Sequence, residues 1–190
     1  MCDPGYTPTK AEVNQNAITS APVNLESATS GAAGPAVLLQ TATIWCAGET
    51  KGTLVRAFFD GGSHRSFITK NASERLECKI LGQETLTVGV LGGHQSERVF
   101  NRVLVSLTAQ NGKIHQLEVL ETDVICDQKI PIPEPNLKKL LGQVKMANST
   151  NNKQRGDIYL LIGSEHYWDL VTGKSKPLKE KLRAVETAFG

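Results

Sequence analysis

One acid stands out by its surroundings. An apolar run, Leu54, Val55, Ala57, Phe58 and Phe59, ends on Asp60, and the small-residue turn Gly61-Gly62-Ser63 follows at once. A carboxylate at the end of a buried strand loses water, and that desolvation cost points to chemistry more often than to simple structural support. Such a group can take a proton from water as a general base or, when protonated, donate one. Taken alone, an Asp in a glycine turn is most often satisfying its own backbone, so the neighbouring segments must carry the argument.

Other reactive residue types form weaker patterns. Cys2, Cys46, Cys78 and Cys126 are far apart, with no C-x-x-C pair and no His at zinc-ligand spacing, so no metal site and no cofactor are expected. His64, His94, His115 and His166 are scattered without a Cys or Ser partner and read as surface or turn residues. Asp157, Glu165 and Asp169 fall near one another, and a solvated cap suits them better than a second catalytic acid.

The elements that must position Asp60 are strands. Thr41 to Trp45 is strand-like, Gly48 to Gly52 turns, and Thr53 to Phe59 returns, which makes a hairpin ending on the acid. Ser66 to Thr69 is a second apolar segment, followed by a short helix over Ala72 to Leu76. Gly82 breaks the pattern, and Glu84 to Val88 alternates like a strand. In Gly89-Val90-Leu91-Gly92-Gly93-His94, three glycines permit a mobile hairpin or, equally, a plain bulge. Arg98 to Leu107 is strand-like, and Asn111-Gly112 before Ile114 to Leu120 signals a type I′ hairpin.

Further on, Ile130 to Pro135 must be extended because alternating prolines exclude helix, Leu137 to Leu141 reads as a helix capped by Asn136, and Val144 to Gly156 as a polar loop. Asp157 to Gly163 is the most apolar strand, and Ser164 can cap a short helix through Asp169, with Tyr167 and Trp168 as packing residues. Lys174 to Arg183 reads as a solvated face.

With 190 residues, 39% of them hydrophobic and 21% charged, one domain with a sizeable core is expected. Residues 1–35 mix Ala, Ser, Thr, Asn, Pro and Gly without period and read as a disordered lead-in; residues 36–190 form the domain. A net charge of +2 does not argue for nucleic acid. No apolar run approaches the roughly 20 residues of a membrane span, and no signal peptide opens the chain, so a cytoplasmic location without membrane partners is expected.

Taken in order, several segments resemble the peptidase domain of BEL/Pao-type retrotransposon polyproteins, a retropepsin-like family. They are Leu38 to Ala42, Arg56 to Ser63, Ser66 to Thr69, Val90 to Gly93, Leu161 to Trp168 and Ala184 to Gly190. The resemblance spans about residues 36 to 190 and implies an all-β, closed-barrel acid protease fold with short helices. It further implies an aspartic endopeptidase with Asp60 as catalytic acid and Gly61, Gly62 and Ser63 as its turn. Leu91, Gly92 and Gly93 would form a flap, and Leu161, Ile162 and Gly163 the floor. Because the sequence has one such turn, the resemblance implies a homodimer that cleaves a peptide or polyprotein substrate. The family continues past a Phe-Gly, so a domain cut short at Gly190 is expected. Where the family has Thr or Ser, this chain has Gly61; Ser63 is the candidate substitute hydroxyl. The alternatives are an inactive or domesticated module that dimerises or binds peptides, and an unrelated β-rich binding domain.

Overall fold

The computed structural model describes residues 38–89, 95–127, 130–131, 147, 157–179 and 182–190. The expected lead-in 1–35, the expected flap residues Leu91, Gly92 and Gly93, the segment 132–135, the helix expected over 137–141 and the loop expected over 144–146 and 148–156 lie outside the described residues.

The hairpin that leads to Asp60 forms as its composition predicts. Strand β1 (Thr41–Ala47) pairs antiparallel with β2 (Gly52–Phe59), from Thr41↔Phe58 to Ala47↔Gly52. The second half of β2 is buried on both faces. Val55, Ala57 and Phe59 enter the main core, whereas Phe58 joins a smaller cluster with Ile125, Ile130, Ile158 and Leu161. Arg56 lies on the Phe58 side and is almost fully buried, a position that a cation holds only with its donors satisfied. Its Nη1 donates to the Ile130 carbonyl at 2.7 Å, and Nη2 donates to the Pro131 carbonyl at 2.9 Å and to Thr41 Oγ1 at 3.2 Å. Burial pulls its pKa below the ordinary value, while Asp157 and Cys126 act the other way.

After the Asp60 loop come β3 (Phe67–Thr69) and α1 (Lys70–Leu76). Thr69 caps α1, its Oγ1 accepting from Ala72 N at 3.3 Å, and Glu77 ends it in the left-handed region with φ 54°. Strand β4 (Lys79–Gly89) pairs along its length with β5 (Gln95–Thr108), and β6 (Ile114–Thr122) follows. Gly82 does not end a segment. It sits at a register shift inside β4 with φ 155°, the backbone of a bulge. The β5–β6 hairpin forms where Asn111-Gly112 signals it, but Thr108↔Ile114 leaves a loop over 109–113 rather than a two-residue turn.

Strand β7 (Leu160–Ile162) inserts between β2 and β3, parallel to the first and antiparallel to the second. A strand with neighbours on both edges and cores on both faces must be apolar throughout, and Leu160, Leu161 and Ile162 are all buried. The strand order is β1-β2-β7-β3-β6-β5-β4, and Trp45↔Thr108, Cys46↔Leu107 and Ala47↔Ser106 join β1 back to β5. Six strands therefore close into a ring, with β4 hydrogen-bonded outside it along β5. The expected all-β closed barrel with short helices is borne out.

Helix α2 (Ser164–Leu170) follows β7, and β8 (Val171–Lys179) with β9 (Leu182–Thr187) makes a separate two-stranded sheet. Ser164 is the first helical residue, not the cap; Gly163 occupies that place without a side-chain bond. The solvated face read over Lys174 to Arg183 is this hairpin, largely exposed on β8. The unbroken polar run of Lys174, Ser175 and Lys176 hid it. Tyr167 packs on Phe59 with its ring edge-on at 6.4 Å; Trp168 meets the Tyr167 ring edge-on at 5.0 Å but is 73% exposed, so of the two only Tyr167 reaches the core.

Candidate functional site

Because β2 and β7 run parallel and side by side, the chain leaves both at the same rim of the barrel. Phe59 pairs with Ile162, so Asp60 and Gly163 are neighbours at the exits. Asp60 N donates to the Ile162 carbonyl at 2.9 Å, and Phe59 N donates to the Gln40 carbonyl at 2.9 Å. These bonds fix the backbone on either side of the acid. Asp60 as a residue is half-buried, and its Oδ1 accepts from Gly62 N at 3.0 Å in an exposed bond. That is the bond of an ordinary turn aspartate; what sets this one apart is its place at the mouth of two parallel buried strands.

The turn ahead of it is open. A Cβ built on Gly61 would meet nothing nearer than the Tyr167 ring at 3.9 Å, and Gly61 does not have positive φ. Tyr167 is held there by its hydroxyl, which donates to Gln40 Oε1 at 2.8 Å. Ser63 is turned inward, its Oγ donating to the Arg65 carbonyl at 2.8 Å, so its hydroxyl is engaged within its own loop rather than free to replace the one absent at Gly61.

The segment expected as the floor is tightly built. Leu161 and Ile162 are buried, and Gly163 N donates to Ser66 Oγ at 3.0 Å while Ser164 N bonds the Ser63 carbonyl at 2.6 Å. A Cβ on Gly163 would lie 2.4 Å from the Arg65 carbonyl oxygen and 2.8 Å from that of Ser63, so only glycine lets the two loops approach.

A second apolar cluster borders the acid. Phe58 and Leu161, flanked by Leu39, Phe67 and Cys126, are covered by Ile125, Ile130 and Ile158. Burial raises the Cys126 thiol pKa, and the charges of Asp127 and Asp60 raise it further, which places this segment within the field of Asp60. Among the described residues no group of three His, Cys, Asp or Glu could hold a metal ion. No helix among them is long and apolar enough to cross a membrane.

A strand end that holds a single half-buried acid over a glycine turn suits proton transfer to a bound substrate. The family model described as "Putative peptidase (DUF1758)" matches residues 43–181, a span that includes β2, the Asp60 loop and the floor. The chain belongs to this peptidase family. That description agrees with the peptidase class expected from the resemblance. The chain is also similar to the retroviral protease-like domain of Ddi1 from Leishmania major, with 14% identity, 80% of this chain and 94% of that chain covered, and a TM-score of 0.35. No curated protein matches the sequence.

Three residues beside the Asp60 turn escape sequence reasoning. Arg65 Nη1 bonds Glu165 Oε2 at 2.8 Å and Nη2 bonds Glu84 Oε2 at 2.6 Å, while Glu165 Oε1 accepts from Ser66 N at 2.7 Å. Glu165 is thus no solvated cap: it is 21% exposed and ties α2 to the Asp60 loop. The three charges lie 19 and 100 residues apart, at no motif spacing, so only the fold unites them.

Proposed function

We propose that this domain is an aspartic endopeptidase of a retrotransposon polyprotein, working as a homodimer in which Asp60 of each copy supplies one half of the catalytic pair. The observation that carries the reading is the placement of Asp60: in a chain of a peptidase family, it is the acid set at the shared exit of β2 and β7, on an open turn, with a rigid floor behind it. A two-fold axis past that turn would bring the two carboxylates together. Carboxylates about 3 Å apart share one proton and titrate as a pair. The ionised member takes a proton from water, and the protonated member hydrogen-bonds the scissile carbonyl and then helps protonate the leaving nitrogen. Leu91, Gly92 and Gly93, which lie in the sequence between β4 and β5, would act as the flap that closes over substrate and excludes water.

Gly61 favours a second reading. A Thr or Ser hydroxyl there would bond the opposing loop across the dimer, and its loss weakens the pair by about 0.5 to 1.5 kcal/mol per subunit. With Ser63 Oγ committed to the Arg65 carbonyl, a module that dimerises weakly and binds peptides without cleaving them is the alternative.

The purified domain on a peptide library at mildly acid pH, beside Asp60→Asn, separates the two. Cleavage that vanishes in the variant supports the endopeptidase; no cleavage with peptide binding intact supports the module. Equal cleavage by both proteins rules out Asp60.

A further inference from the structure

The β4–β5 hairpin outgrows the barrel. Strand β6 pairs with β5 only over residues 102–108 and β1 only over 106–108, so beyond Asn101 the two arms have only each other among the described strands. Asn101 Nδ2 bonds Glu121 Oε2 at 2.9 Å, and Gln83 Nε2 bonds Asn101 Oδ1 at 3.1 Å, which marks the last rung tied to β6. The next rung is Glu84↔Phe100. Both of its side chains are gripped from one short segment, residues 65–67, directly after the Asp60 turn. Arg65 holds Glu84 at 2.6 Å, and the Phe67 ring meets Phe100 edge-on at 5.7 Å between centroids. Arg65 is at the same time locked by Glu165 to α2. Leu86, two residues along and on the same face as Glu84, is buried.

We infer that Arg65 is a positioning residue that sets the pose of the β4–β5 hairpin relative to the Asp60 loop, with the Glu84–Phe100 rung as the fulcrum. The inference rests on the endopeptidase reading for its functional consequence and on geometry alone for the anchor. A planar guanidinium can serve two carboxylates at once, which a lysine ammonium matches poorly, so the anchor demands arginine.

Hydrogen exchange and peptide kinetics on the full chain test it together. In Glu84→Gln, amides of residues 85–89 and 95–99 should exchange about tenfold faster while those of 63–66 stay as in the wild type, because only the hairpin is released. In Arg65→Lys both sets should speed up. The kinetic change in Glu84→Gln should fall on KM rather than kcat, and Glu84→Asp should recover part of it. Hairpin exchange within about twofold of wild type in both Glu84→Gln and Arg65→Lys overturns the anchor. A kinetic change confined to kcat overturns the positioning role in substrate binding. Faster hairpin exchange in a protein that cleaves nothing upholds the anchor and counts against the endopeptidase reading instead.

Discussion

Two glycine turns leave the barrel side by side, and they are glycine for different reasons. Gly163 follows β7 and is wedged between the carbonyls of Ser63 and Arg65, with no space for a methyl group. Gly61 follows Asp60 at the end of β2, faces open space up to Tyr167, and has no positive φ that would demand glycine. Packing therefore dictates the first residue and leaves the second free. In a pair of neighbouring loops, the crowded one is fixed by packing, and the open one is left free beside the acid.

The largest effect should come from filling the crowded turn. Gly163→Ala drives a Cβ into backbone that cannot rotate away, and a loss of about 3 kcal/mol is expected in denaturant unfolding. Should that variant prove as stable as the wild type, the contrast between the turns disappears. Next is Arg56→Met, which keeps apolar bulk but strands the Ile130 and Pro131 carbonyls; about 2 kcal/mol should be lost. Because Arg56 clamps the segment beside Phe58 rather than either turn, its loss should leave the Gly163 floor protected in hydrogen exchange.

A pH effect separates core from rim. Burial, with Cys78 nearby, pushes Cys46 up to about 12. Between the ordinary thiol value, about 8.5, and that point, the unfolded chain gives up a proton that the folded chain keeps, so stability falls as pH rises through this window. Below it the thiol is protonated in both states and nothing is lost. Cys46→Ala should flatten the alkaline part of a melting-temperature profile; an unchanged slope would show that Cys46 contributes nothing there.

The smallest effect on stability should come from the open turn. Gly61→Ser should change unfolding by no more than about 0.5 kcal/mol, in the stabilising direction, because it only restricts the unfolded chain. In sedimentation it should tighten self-association by about tenfold through the restored hydroxyls. A destabilised Gly61→Ser protein would mean that the turn is not as open as its geometry.

Much of this was legible beforehand where one local rule had no rival. The β1–β2 hairpin, the acid at its end, the hairpin at Asn111-Gly112 and the apolar Leu160 to Ile162 followed from period, turn chemistry and composition. The short helix began two residues before Ala72 because Thr69 supplied the cap. What stayed hidden depended on long-range pairing. Nothing local tells that β7 inserts between β2 and β3, that Arg56 is buried under carbonyls some 74 residues away, or that Arg65, Glu84 and Glu165 meet. The β8–β9 hairpin was masked by its lysines, which read as solvent-facing whether or not the backbone is paired.

The central claim is that two copies of Asp60 make one catalytic centre. Mixing wild-type and Asp60→Asn chains at a fixed total concentration, above that needed for dimerisation, and measuring peptide cleavage against the wild-type fraction tests it most directly. Activity should fall as the square of that fraction, since only dimers with two intact acids cleave. A straight-line fall would mean that each chain works alone, and the shared-dyad account would be wrong.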